Sequence, residues 1–131
     1  MTDVNATVLI VEDTPELQRF LSACFRRMGF DVVSAREGEV AVEIALRILP
    51  DLICLDLMLP NICGLEVCER LKRSPSTAGI PVLIISSRTS PQDRAEAEIS
   101  GADDYLMKPI DPRELAVRVR ALLDRKAATH G

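Results

Sequence analysis

Side chains able to do chemistry stand directly behind short apolar runs of this sequence. Glu12 and Asp13 follow the run at 7–11, and Asp56 follows 52–55. Ser86 and Ser87 follow 81–85, and Lys108, with Pro109 next to it, follows 105–107. Brought to one place, three carboxylates need a cation, because two like charges ~4 Å apart repel by roughly 4 kcal/mol at an effective dielectric near 20. A few hard oxygen donors, with room left for water and phosphate oxygens, suit Mg2+. Ca2+ takes more ligands and has no EF-hand loop here, and zinc would want Cys or His. A carboxylate flanked by a metal ion, an ammonium and a hydroxyl is equipped to attack a phosphoryl group, whose equatorial oxygens need charge stabilisation. Asp56 is then the nucleophile, with Lys108 and Ser86 as the other stabilising groups.

This chemistry requires elements that bring those positions together. The apolar runs are short and rich in β-branched residues, and they alternate with longer stretches of helical spacing. Strands are expected at 7–11, 30–35, 52–55, 81–85 and 105–107. Helices are expected from Thr14-Pro15 to about Met28, from Glu37 to Leu49, from Leu65 to Arg73, from Ser90-Pro91 to before Gly101, and from Asp111-Pro112 to about Lys126. Thr14, Ser90 and Asp111, each followed by Pro, read as N-caps with proline at the first helical position. Strands apolar on both faces, alternating with helices, predict an α/β fold with a doubly wound, five-stranded parallel sheet covered on both sides. Order 2-1-3-4-5 is expected, and ligands of such sheets bind at the carboxyl ends of the strands, near the switch point. Arg36 and Glu37, behind the second strand at the sheet edge, are set aside.

Length and composition fit this reading. The 131 residues suit one domain spanning 1–131, with a core over about 6–126 and a frayed tail at 127–131. A net charge of −4 argues against direct nucleic-acid binding, and 3% aromatics with no Trp argue against a base-stacking platform. No apolar run is long enough to span a bilayer, and the polar start with Asp3 lacks the pattern of a signal peptide, so a cytoplasmic protein without membrane contact is expected. Cys24, Cys54, Cys63 and Cys68 form no CxxC pair and read as small apolar filler in a reducing compartment. His130, the one histidine, lies in the expected tail and is not read as a phosphotransfer residue.

Taken in order, Glu12-Asp13, Asp56 with Pro60 and Gly64, Ser86, and 101–106 (GADDYL) leading to Lys108-Pro109 resemble the receiver domain of response regulators, over about residues 6–126. The resemblance implies a flavodoxin-like (βα)5 three-layer sandwich, similar to the chemotaxis regulators. It implies a module of a phosphorelay that takes a phosphoryl group on Asp56 from a sensor histidine kinase or a histidine phosphotransfer protein. Mg2+ is expected on Glu12, Asp13, Asp56 and the Met58 backbone carbonyl. Ser86 and Tyr105 are expected to form the switch, the hydroxyl moving to the phosphoryl oxygen and the ring turning inward, although a plain core aromatic would also keep a wet hydroxyl. The Lys108-Pro109 bond is expected to be cis. Met58, Ser87 and Arg88 are the tuning positions, and Met58 with Arg88 would crowd out attacking water. The chain is therefore not expected to be an enzyme, but a phosphoacceptor that modifies itself and loses the group slowly.

The donor is expected to dock on the first helix near Pro15-Leu17 and Phe20-Leu21. A homodimer through the fourth helix, fifth strand and fifth helix is a further expectation, with Asp93 and Arg94 pairing with Glu114, Arg118 or Arg120. The alternative is a docking module whose acids never meet phosphate. An aspartate-nucleophile hydrolase would need an acid where Met58 stands, and a nucleotide- or flavin-binding domain would show GxxxxGK[ST] or GxGxxG, which are absent.

Overall fold

The computed structural model describes residues 5–88 and 90–130, with side chains to 127. The polar start at 1–4, Thr89, Gly131 and the His130 side chain lie outside the described residues. Strands β1 (Thr7–Val11), β2 (Asp31–Ala35), β3 (Leu52–Asp56), β4 (Val82–Ser86) and β5 (Asp104–Met107) alternate with helices. The helices are α1 (Pro15–Arg27), α2 (Gly38–Ile48), α3 (Gly64–Arg73), α4 (Pro91–Ile99) and α5 (Pro112–His130). All strand pairings are parallel, in the order β2-β1-β3-β4-β5.

The alternation of strand side chains builds two cores. Leu9, Val11, Ile53, Leu55, Val82 and Ile84 face α2, α3 and α4, meeting Ala41, Ala45, Val67, Leu71 and Ala97. Val8, Ile10, Leu52, Cys54, Leu83 and Ile85 face α1 and α5, meeting Leu21, Phe25, Leu115, Val119 and Leu122. Burying each Leu, Ile or Phe fully contributes about 1.5–3 kcal/mol, so the two layers hold the central strands rigid. Rigid central strands fix where their carboxyl ends point.

Element ends correct the sequence reading in places. Thr14 holds the N-cap position of α1, but its side chain makes no capping bond. Its backbone N–H donates to Glu12 Oε2 at 3.0 Å, which ties the start of α1 to the acid. Ser90 and Asp93 do form a reciprocal capping box, and Asp111 Oδ1 accepts the Arg113 N–H at 2.8 Å. Helix α5 runs on to His130 rather than closing near Lys126, since Ala127 and Ala128 favour helix and no Pro or Gly intervenes before Gly131. Leu21, expected at a docking surface, is fully buried, because helical phase turns it toward β1 and β3 while Phe20 is 39% exposed.

Candidate phosphoryl-acceptor site

The carboxyl ends of β1, β3, β4 and β5 gather the predicted residues. Asp56 ends β3 on the central axis of the sheet and is 3% exposed. Its Oδ1 accepts the Met58 N–H at 3.0 Å, and its Oδ2 accepts from Lys108 Nζ at 3.2 Å. The next loop turns back on itself at Asn61, which takes a positive φ of 70°, and re-enters through Gly64. A Cβ at Gly64 would lie 2.5 Å from the Asp56 carbonyl oxygen and 2.8 Å from the Leu57 Cα. Only glycine lets α3 start so close to the acid.

Glu12 and Asp13 leave β1 on the neighbouring strand. Carboxylate oxygens of Glu12, Asp13 and Asp56 all lie within 4.8 Å of one another. Glu12 is fully buried, and its Oε1 has no hydrogen-bond partner among the described residues. Lys108 Nζ is 3.7 Å from that atom, an ion pair too long for a hydrogen bond. Burial first, and the adjoining Asp56 carboxylate second, push the Glu12 pKa up to about 7, against the pull of the Thr14 N–H and Lys108. An orphaned buried oxygen amid crowded acids fits a hard divalent cation, which would complete Glu12 without adding a proton. Arg36, set aside in the sequence, reaches in from behind β2 to donate to the Asp13 carbonyl at 3.4 Å.

Ser86 ends β4, is fully buried, and accepts the Arg88 N–H on its Oγ at 3.0 Å. Its own O–H proton is thereby left to donate elsewhere. The Lys108 N–H donates to the Ser86 carbonyl at 2.9 Å, and the Lys108-Pro109 peptide is cis, as expected. Ser87, Arg88 and Met58 are exposed around the mouth of this cleft. Tyr105 already lies inward at 7% exposure, its O–H donating to the Arg88 carbonyl. A contact missed by sequence is Arg94, whose guanidinium stands 5.4 Å from the Tyr105 ring centroid. The four cysteines are free, and Cys63, unlike buried Cys54 and Cys68, is exposed at the start of α3 rather than core filler.

Comparisons with known proteins agree with this geometry. The family model described as the response regulator receiver domain matches residues 8–120. The DNA-binding dual master transcriptional regulator RpaA of Synechocystis is 45% identical over 118 residues, which are 90% of this chain and 49% of that protein. The DNA-binding response regulator MtrA of Mycolicibacterium smegmatis is 38% identical over 125 residues, 95% of this chain and 54% of that protein. The chain thus spans about half the length of these curated relatives. Among solved structures, the BeF3-activated receiver domain of Klebsiella pneumoniae RstA superposes with a TM-score of 0.82 at 32% identity, covering 89% of this chain and 97% of that one. The receiver domain of a Pseudomonas aeruginosa sensor histidine kinase, with magnesium coordinated in its active-site cleft, gives 0.86 at 26% identity, covering 92% and 99%. With the acid cluster, the cis Lys108-Pro109 and the 2-1-3-4-5 sheet in place, the chain belongs to the response regulator receiver domain family.

Proposed function

We propose that Asp56 is the phosphoacceptor of this receiver, taking its phosphoryl group from a phosphohistidine on a sensor histidine kinase or a histidine phosphotransfer protein. The observation that carries this is the buried Asp56 carboxylate, bonded to Lys108 and beside a Glu12 oxygen that has no hydrogen bond among the described residues. Asp56 attacks phosphorus, forming a P–O bond as the P–N bond breaks. The electron pair returns to the donor imidazole, which leaves neutral after taking a proton from solvent. Lys108 balances charge at Oδ2, and the Ser86 O–H, unspent in the resting site, turns to donate to a phosphoryl oxygen. Glu12, Asp13, Asp56 and the Met58 carbonyl would hold Mg2+, which supplies positive charge to the crowded acids and the incoming oxygens. Ser86 and Tyr105 would then carry the change outward.

A groove of about 400 Å³ between α1 and α5, lined by Phe20, Cys24, Met28, Pro112 and Ala116, supports docking of the donor there. For a dimer through α4, β5 and α5, exposed Ile99, Met107 and Val117 offer apolar surface on those elements. Within the chain, Arg118 pairs with Asp104 at 2.8 Å and Glu114 at 3.6 Å, and Asp93 is held in the capping box. Pairing across a dimer would exchange such contacts rather than add to empty ones. DNA binding is named for relatives about twice this length, and we assign no nucleic-acid contact to residues 1–131. No described helix is long and apolar enough to cross a membrane. The free cysteines agree with our placement in a reducing cytoplasm.

Incubation with Mg2+ and acetyl phosphate, followed by intact-mass measurement, tests the assignment. The wild type gains one phosphoryl group and Asp56→Asn gains none. Exposed Met58 and Arg88 at the cleft mouth screen the adduct from water, so it persists for minutes or longer, and decay within seconds would overturn that part. A wild type inert to both acetyl phosphate and beryllofluoride would instead favour phosphate-independent docking.

A further inference from the structure

Tyr105 is grasped at two points by one segment of chain. Its O–H donates to the carbonyl of Arg88, just past β4, and its ring faces the guanidinium of Arg94, within α4. Helix α4 has little else to hold it, since Ala97 is its one buried residue, whereas α1, α2 and α3 each bury at least three. Such thinly anchored elements are the ones that shift between states. Arg94 forms no ion pair among the described residues, and Asp104, which lines the same hollow, is engaged by Arg118.

We propose that Arg94 is a positioning residue for Tyr105: its cation on the ring face holds the ring inward and ties α4 to β5 before any phosphoryl group arrives. A guanidinium over an aromatic face is attracted by the ring's negative quadrupole. At a partly exposed site that attraction shifts an inward-to-outward ratio by roughly two- to fivefold. A bias of that size favours the inward ring and is small enough to let the site below it shift the balance. Coupling of the ring to phosphorylation rests on the reading of Asp56 as phosphoacceptor, but the placement of the ring does not.

Tyr105 is the one tyrosine of the chain and there is no tryptophan, so tyrosine emission reports this ring alone. Acrylamide quenching of that emission is compared in the unmodified full chain for the wild type, Arg94→Ala, Arg94→Lys and Arg94→Met, with far-UV circular dichroism as the check on folding. Arg94→Ala raises the quenching constant about twofold or more. Arg94→Lys, which keeps a cation, stays near the wild type, and Arg94→Met, of similar length without charge, follows the alanine variant. Quenching unchanged in Arg94→Ala, or methionine protecting as well as lysine, overturns the proposal. If Arg94→Ala fails to fold, the lysine and methionine variants decide it between them. Intact mass after acetyl phosphate with Mg2+ reads the Asp56 assignment separately: a wild type that gains no phosphoryl group would sink that assignment and leave the ranking of the variants intact.

Discussion

The two ends of the sheet use acids in opposite ways. At the amino end, Asp51 Oδ2 accepts the Thr7 N–H at 2.7 Å while the Asp51 N–H donates to the Thr7 carbonyl at 2.8 Å. Asp103 Oδ2 there accepts from the Val82 N–H at 2.7 Å and from Lys72 Nζ at 2.9 Å. Each of these acids closes a strand start through its bonded Oδ2. At the carboxyl end, Glu12, Asp13 and Asp56 crowd together, Lys108 pairs with Glu12 and Asp56, and a Glu12 oxygen is buried without a hydrogen bond among the described residues. The same residue type stabilises the fold at one edge and strains it at the other. Strain of that kind survives where a bound charge relieves it, so it marks the functional edge.

The largest expected effect comes from the strained edge. Glu12 is raised from an ordinary 4.5 to about 7. Between those values the unfolded chain has released the proton and the folded chain still holds it. The folded state therefore binds more protons there, and this group's contribution to stability falls as pH rises through that window, then levels off above it. The loss is on the order of 3 kcal/mol. Urea unfolding in EDTA at about pH 5 and about pH 7.5 measures it, with Glu12→Gln lacking this component of the slope. Mg2+ at the higher pH restores much of the loss to the wild type and little to the variant. Equal slopes for the two proteins would break the contrast between the edges.

The amino edge predicts a loss of the opposite origin. Lys72 Nζ donates to Asp103, to the Ala78 carbonyl at 3.2 Å and to the Ile80 carbonyl at 2.8 Å, binding the end of α3 to the starts of β4 and β5. Lys72→Met keeps the stem and strands these acceptors, which costs about 2 kcal/mol and lowers Tm by roughly 5–10 °C. Scanning calorimetry reads the shift, and phosphoryl uptake at Asp56 is unchanged below the melt. A variant that melts normally but loses uptake would mean that the two edges are coupled.

How much of this was legible follows from where each signal resides. The β-branched runs and their spacing carried the strands and the parallel sheet, most plainly in the central strands buried on both faces, while the order 2-1-3-4-5 came from the known order of doubly wound five-stranded sheets. Glu12, Asp13, Asp56, Ser86 and Lys108 were legible because each stands at or just behind the end of an apolar run, and strand ends in such a sheet converge. Arg36 and Arg94 were not. Both are charged residues in exposed stretches, and their partners, the Asp13 carbonyl and the Tyr105 ring, are neighbours only in the folded chain. Thr14 stands at the N-cap with proline behind it, as its type signals, but the sequence does not reveal that its side chain makes no capping bond. The inward turn of Leu21 depended on the rotational phase of α1, which a dipeptide does not reveal.

The smallest effect gives the sharpest sign. Amide for acid is nearly isosteric, so Asp51→Asn and Glu12→Gln change charge with little change in shape. At Asp51 the carboxylate oxygen receives a backbone N–H, and a charged acceptor makes a stronger bond than a neutral one. Asp51→Asn therefore destabilises by about 0.5–1 kcal/mol, and Asp51→Ala, which removes the acceptor, by about 1–2 kcal/mol. Glu12→Gln at about pH 7.5 in EDTA goes the other way and stabilises, because it removes a fully buried charge that is crowded by Asp56 and has one oxygen without a hydrogen bond among the described residues. Chevron or equilibrium urea curves resolve these signs. If both amides destabilise, Glu12 is satisfied by something other than a cation, and the site at the carboxyl edge must be redrawn around that partner.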